Sequence, residues 1–236
     1  MKMNKNNLWF ITAKTNLHVG NENTSSYGLI DLAVQRNATT GLPCINSSSL
    51  KGALNEYAAN KENLPSEDLI RVFGSDKVKE NGKSRNSETK KGQYIFFDAN
   101  ILFLPKQLDT KLYELVTCEA VLNRFFEQVE LITGEKVTEE NLTPFNFKKV
   151  SEEEFISLCS DENLPIIARN VLENGESKNL WYEQVIPAET VFYTLIDNKE
   201  DKSLAAKLEN AIVQIGAGAT IGYGYCRFTK INTAKQ

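Results

Sequence analysis

The sequence predicts an α+β fold of the ferredoxin-like type, one domain spanning 1–236 with insertions. Order, length and composition carry that prediction. Runs of β-forming residues alternate with helical stripes in the order β-α-β and then β-α-β. A length of 236 residues suits one large domain with a sizeable core. Hydrophobic residues at 41% and charged residues at 25% are the ordinary balance of a soluble globular chain.

Residues 8–19 are rich in β-formers and read as the first strand. Residues 47–60 read as a helix: serines stand at its start as caps, and Leu50, Ala53, Leu54 and Tyr57 repeat at helical spacing. The polar stretch 75–92 reads as a mobile loop. Residues 94–104 form a strand ended by Pro105. Over 108–132, Leu112, Leu115, Val116, Leu122, Phe125, Phe126 and Val129 form a helical stripe whose aromatics read as core. Residues 166–172 and 180–186 read as two strands joined through Asn174-Gly175, a hairpin turn signal. Residues 190–196 are a further strand. Leu204, Ala205, Leu208, Ala211, Ile212 and Ile215 mark a helix, and 220–229 is the last strand. Set aside as insertions are a loop at 61–92, a helical segment at 106–163 and the hairpin at 164–187. The double β-α-β order then remains, and by itself it assigns no function.

The net charge of −4 excludes a surface coated with basic residues, but counterion release depends on local charge. Between 71 and 92 the basic residues Arg71, Lys77, Lys79, Lys83, Arg85, Lys90 and Lys91 outnumber Asp76, Glu80 and Glu88. Lys14 interrupts the apolar stretch near the start, and no apolar run approaches membrane-spanning length. Cys44, Cys118, Cys159 and Cys226 are widely spaced and the only histidine is His18, so a structural zinc site is not expected. Reduced thiols in a cytoplasmic protein fit that pattern better.

The segment Gly28-Leu-Ile-Asp31-Leu-Ala-Val-Gln-Arg36, with Thr40-Gly-Leu-Pro43 and Ser47-Ser-Ser-Leu-Lys51-Gly52, joins a lone acid to a hydroxyl-rich helix start. Asp31 on local sequence is either a solvent-facing residue or a functional acid. Ser48, Ser49 and Lys51 lack the frame of a nucleotide-hydrolysing phosphate loop. They offer either simple capping or a set of partners for a nucleic-acid phosphate. Gly216-Ala-Gly218-Ala-Thr-Ile-Gly222-Tyr-Gly224 follows a helix and precedes a strand, the reverse of a dinucleotide-binding fingerprint. It reads as a tight turn or as a phosphate-contacting loop. No Ser-His-Asp or Cys-His arrangement can be argued from His18, which reads as a partly buried strand residue.

Together these blocks resemble the RAMP proteins of CRISPR systems. The likeness runs through Leu17-His-Val-Gly20, the 28–36 segment, Thr40-Gly-Leu-Pro43 and Ser48-Ser-Leu-Lys-Gly52. It continues through Phe73-Gly-Ser75, Ile95-Phe-Phe-Asp98-Ala99, the block Asn179-Leu-Trp-Tyr-Glu183 and the glycine-rich 216–227 segment. The Asp-Leu-x-x-Gln-Arg string and the Leu-Trp-Tyr-Glu block are similar to Cas7-type backbone subunits of type III-B effector complexes. The family often has glycine where this chain has Ser47, and the chain is short for the subfamily.

The resemblance implies an RRM-like palm with a projecting thumb hairpin and copies of the chain stacked along a guide crRNA. It implies partners in other type III-B subunits and a complementary target RNA cut at regular intervals, with no membrane involved. It also implies a divalent metal, Mg2+ or Mn2+, and Asp31 as the catalytic acid and a candidate metal ligand. Lys51, Ser48 and Ser49 would hold guide phosphates, with Arg36, Gly218 and Gly222 as further guide contacts, and the 169–183 hairpin would wedge between bases. Two other roles stay open on the residues: a scaffold that binds RNA without cutting, and a guide-processing nuclease relying on His18.

Overall fold

In the computed structural model the chain is built outward from β1 (Leu8–Ala13). Residues 7–20, 30–75, 79–80, 83–84, 89–198 and 203–230 are described. After β1 come β2 (Cys44–Ile45), α1 (Ser47–Asn60), α2 (Ser66–Phe73) and the short pair β3 (Lys79–Glu80) and β4 (Lys83–Ser84). The middle comprises β5 (Ile95–Phe96), β6 (Ala99–Leu108), β7 (Lys111–Cys118), α3 (Glu119–Thr133), β8 (Phe147–Val150) and α4 (Glu152–Leu158). The series ends with β9 (Ile166–Glu173), β10 (Glu176–Gln184), β11 (Val191–Asp197), α5 (Ala205–Leu208), β12 (Ile212–Gln214) and β13 (Tyr225–Lys230).

One large sheet runs in the order β12-β13-β1-β11-β6-β7-β8, with β2 added on β6 and β5 on β11. Its described pairs are antiparallel except β7 with β8. At its centre β13, β1, β11 and β6 lie side by side. These are the last, first, third and second strands of the double β-α-β series. β1 pairs on both edges, Leu8 facing Leu195 and Trp9 facing Lys230. A strand enclosed on both sides needs apolar residues on both faces. Leu8, Trp9, Phe10 and Ile11 are all buried, as is every residue of β11. Successive β1 side chains point to opposite faces. Phe10 meets Phe145 and Phe125, with ring centroids 5.0 and 6.2 Å away, whereas Trp9 meets Phe228 edge-on at 6.4 Å.

α1 forms where the sequence predicts it, because Leu50, Leu54 and Ala58 recur one turn apart and are buried. The hairpin also matches. Asn174 and Gly175 have φ of 53° and 85°, the left-handed pair that a two-residue hairpin turn demands. β9 and β10 pair only with each other among the described strands, and the described side chains of 170–180 are exposed.

Other expectations need correction. The first strand stops at Ala13, not at 19. The serines do not cap α1: Asn46 is the N-cap residue, and the side chain of Asp98 accepts the Ser47 N–H at 2.7 Å. Pro105 does not end its strand. β11 pairs with β6 only as far as Phe103, so beyond it the strand has an edge-like stretch where a missing N–H is tolerated. The helical stripe of 108–132 is half strand, because the chain turns at 109–110 and pairs back, leaving Leu112 exposed and Val116 buried. The 106–163 insertion is therefore mixed, with β7 and β8 beside α3 and α4. The helix expected through Ile215 is only α5: Asn210 turns left-handed at φ 60°, and β-branched Ile212 and Val213 pair with β13. The last strand begins at Tyr225, not at 220. Half of the loop expected at 75–92 lies outside the described residues; in the described half, Lys79–Glu80 pairs with Lys83–Ser84 and Lys90 and Lys91 pair back to Ser75 and Gly74.

The four cysteines are free and buried. Burial pushes the Cys159 and Cys226 thiols up to about 12, where thiolate chemistry is suppressed at neutral pH. At one edge of the sheet β8 exposes Lys148 and Lys149. They pair with Glu114 at 3.2 Å and with Glu119 and Glu139 at 2.9 and 2.5 Å. Among the described residues no helix is long and apolar enough to cross a membrane.

Phe125 is fully buried and its ring meets Phe10, Phe126 and Tyr193. Phe125→Ala is expected to lower unfolding stability by about 3–5 kcal/mol, read as a lower urea midpoint with an unchanged slope.

Candidate functional site

The chain leaving β1 and the strip 31–36 close over the base of the β9–β10 hairpin. Leu17 bridges Ile186, Gly20 bridges Val34, and Leu32 lies parallel to Glu183. The peptide N–H groups of Asp31 and Leu32 both donate to the Tyr182 carbonyl, at 3.0 and 3.2 Å. The Tyr182 N–H donates back to Asp31 Oδ2 at 2.7 Å. One residue of β10 therefore fixes both the backbone and the carboxylate of Asp31. The side chain is exposed, and among the described residues its Oδ1 receives no hydrogen bond. It is an acid clamped by one oxygen and presented by the other.

Gln184 grips the same strip further along. Its N–H donates to Leu32 O at 2.9 Å, and its Oε1 accepts from the Val34 N–H at 3.2 Å. Its Nε2 donates to Asp161 Oδ1 at 3.1 Å. His18, 4% exposed, donates from Nδ1 to the Gln184 carbonyl at 2.7 Å. The tautomer follows from the partner, since a carbonyl only accepts. Buried Glu183 takes Arg169 Nε at 2.9 Å and stands 3.6 Å from His18 Nδ1. Arg169 lies over the Tyr223 ring at 4.7 Å, which joins the hairpin base to the glycine loop. His18 is thus a strut between two backbone segments and is not presented to solvent as a catalytic group.

The glycine loop packs on the same histidine. Ala217 N–H donates to His18 O at 2.9 Å. Gly216 has φ 80°, and a Cβ there would stand 2.2 Å from His18 O. Gly218 and Gly222 flank a 3-10 turn at Ala219–Ile221. Gly222 is exposed with open space where a Cβ would project, so packing does not require that glycine.

Ser48 and Lys51 project, exposed, from the first turn of α1. Ser49 is tied inward, its Oγ accepting from Gln35 Nε2 at 3.0 Å. Gln35 also accepts the Asn46 N–H at 2.8 Å and donates to Gly20 O at 3.1 Å, which couples the helix start to the Asp31 strip. Arg36 departs from its expected outward role. Its Nε and Nη2 donate to Asp161 Oδ1 at 3.1 and 2.5 Å, and its Nη1 donates to the Gly41 and Cys159 carbonyls, both at 2.8 Å. Every guanidinium nitrogen is engaged within the chain. The structure thus gathers Asp31, His18, the hairpin base and the glycine loop, and links Ser49 to them through Gln35. Tyr182, Gln184, Arg169, Asp161 and Gln35 were given no individual role from sequence. The Leu-Trp-Tyr-Glu block contains Tyr182 and adjoins Gln184, the Asp-Leu-x-x-Gln-Arg string contains Gln35, and the 169–183 hairpin begins at Arg169; Asp161 lies in none of these motifs.

The model of the RAMP superfamily matches residues 10–227. The CRISPR system Cmr endoribonuclease Cmr4 of Pyrococcus furiosus is 28% identical over 86% of this chain and 88% of its own length. The CRISPR system Cms endoribonuclease Csm3 of Streptococcus thermophilus is 35% identical over 38% of the chain. Among solved structures, a type III-B Cmr-beta complex in its apo state contains a chain matching with TM-score 0.74 at 18% identity, covering 96% of this chain and 97% of that one. Oligomeric Cmr4 from Pyrococcus furiosus matches with TM-score 0.69 at 21% identity, covering 94% and 96%. At those identities the likeness is one of fold.

The two kinds of loop glycine separate by stability. Gly216→Ala is expected to cost more than about 2 kcal/mol, and Gly222→Ala about 1 kcal/mol from its left-handed φ alone. Urea unfolding of the two variants checks the order.

Proposed function

The chain belongs to the RAMP superfamily, and we propose that it is the backbone subunit of a type III-B CRISPR effector complex that also cuts target RNA. It stacks with further copies along a crRNA guide, beside other type III-B subunits, and pairs the guide with target single-stranded RNA. The observation that carries the reading is Asp31, inside the matched region, exposed and clamped by Tyr182 at the foot of a projecting hairpin. The relative with this overall extent bears the name endoribonuclease. We read β13, β1, β11 and β6 with α1 and α5 as a ferredoxin-like palm, and the exposed hairpin as the thumb that parts the target from the guide at intervals. The absence of a membrane-crossing helix among the described residues and the buried thiols suit a cytoplasmic location.

RNA supplies its own nucleophile. With a nucleotide turned out of the stack by the thumb, its 2′-hydroxyl attacks the adjacent phosphorus in line and the P–O5′ bond breaks. A 2′,3′-cyclic phosphate and a 5′-hydroxyl result, with one proton leaving the 2′-oxygen and one arriving at the 5′-oxygen. The protein's work is then mostly orientation, and the free Asp31 oxygen is suited to receive the 2′ proton. Among the described residues no three His, Cys, Asp or Glu side chains gather as a metal cage. In place of taking the proton, the free Asp31 oxygen would suit a hard cation that accepts one carboxylate and completes its shell with phosphate oxygens and water. When bound there, Mg2+ or Mn2+ supplies charge neutralisation at the phosphate.

Lys51 and Ser48 face outward from the α1 start and are assigned to guide phosphates, with Ser49 behind them. Gly218 and Gly222 are assigned to the same backbone track, where Gly222 leaves room for close approach.

The class is tested by purifying the native complex and sequencing its RNA. A short population of uniform length with a shared end is expected, and its absence rejects the reading. Asp31→Asn is expected to abolish target cutting while guide and target binding stay near the parent. Undiminished cutting would overturn the assignment of Asp31 as the cutting residue. Lys51→Ala is expected to weaken guide binding and make its salt dependence shallower by about one phosphate contact. Titrating guide affinity against salt measures this.

A further inference from the structure

We propose that Arg36, Asp161 and Gln184 form a positioning relay that sets the thumb, and with it Asp31, at a fixed pose on the palm. The inference rests on Asp31 being the cutting residue. It gives Arg36 a task other than guide contact and gives Asp161 and Gln184 roles that the reaction itself does not require.

The bonds form a closed circuit. Gln184, fully buried, holds the Asp31 strip at Leu32 through its backbone and at Val34 through its side chain. Its remaining amide donor goes to Asp161 Oδ1. That oxygen also takes two donors from Arg36, which lies further along the same strip. Arg36 in turn fastens the Gly41 carbonyl and the Cys159 carbonyl behind α4. Thumb base, active strip and the turn after α4 are thereby tied through one carboxylate oxygen. Tyr182, two residues before Gln184, is the residue that clamps Asp31. Releasing Asp161 frees one corner of the circuit, so the thumb base and the Asp31 carboxylate lose a common reference.

The same contacts argue against Arg36 as a phosphate ligand. Its charge is met by Asp161 at 2.5 Å, and a phosphate could take it only by displacing that carboxylate. The Asp161 side chain is 58% exposed, so substituting it leaves the core intact. Arginine is also needed here for its fork: a lysine keeps the charge but cannot serve Asp161, Gly41 and Cys159 together.

The test uses the guide-loaded complex, with Asp161→Ala, Asp161→Asn, Arg36→Lys and Asp31→Asn compared. The cleavage rate at saturating complex is read beside guide affinity as a function of salt. Asp161→Ala and Arg36→Lys are expected to slow cleavage about ten- to hundredfold, the scale of a small misplacement of a reacting group. Guide affinity and its salt slope stay at the parent values. Asp161→Asn, which keeps the amide oxygen as acceptor, is expected to recover cleavage to within about threefold. Cleavage by Asp161→Ala within threefold of the parent overturns the relay. A salt slope steeper by about one in Asp161→Ala also overturns it, because the released Arg36 would then be reaching a phosphate. Asp31→Asn separates the two levels. If it is inactive while Asp161→Ala cuts normally, only the relay fails; if it cuts normally, the assignment of Asp31 fails.

Discussion

The reciprocal pairing between Asp31 and Tyr182 is the constraint on which the rest of this molecule depends. A carboxylate on a surface strip has many rotamers and no reason to prefer one. Here the strip donates two N–H groups to the Tyr182 carbonyl, and the carboxylate takes the Tyr182 N–H in return. Three hydrogen bonds to one residue remove most of that freedom, and the charge-assisted one is the strongest kind available to a backbone donor. Because the donor lies on β10, the hairpin and the acid cannot be positioned separately. The arrangement of buried Gln184, His18 and Glu183 with half-buried Arg169 then reads as support for that single junction.

The outward and inward cations divide the surface by task. Lys51 has no ion-pair partner among the described residues and stands on a helix start. Arg36, in the same run of sequence, is neutralised and forked into three acceptors. The α1 start is itself modified by Asp98, whose carboxylate takes the Ser47 N–H. An acid at that position satisfies one of the orphan donors and dilutes the positive end of the helix. The exposed side chains Ser48 and Lys51, and not the bare helix end, are therefore what remains to meet a phosphate.

Much of the fold was legible, and the particular failures are instructive. Helix 47–60 was readable because Leu50, Leu54 and Ala58 report one buried face. The hairpin was readable because Asn-Gly supplies the left-handed pair that few other dipeptides tolerate. The stretch 108–118 reads as helix because Leu112, Leu115 and Val116 satisfy helical spacing, while the turn at 109–110 carries no glycine or proline to announce a reversal. Asp31 could be singled out as an acid within a motif. Its clamp could not, since the partner is a peptide N–H 151 positions away and any residue type supplies one. Arg36 reads from sequence as a guide contact, because sequence does not show that Asp161 meets it across 125 positions.

The lysine-lined edge at β8 has a consequence for a protein read as working in rows of copies. A nine-stranded sheet with a free edge is a template for further strands. At this edge an incoming backbone meets Lys148 and Lys149, already engaged by Glu114, Glu119 and Glu139. Sheet-to-sheet growth would have to break those pairs and bury the lysines. A β-ladder running from copy to copy is thereby disfavoured at this edge.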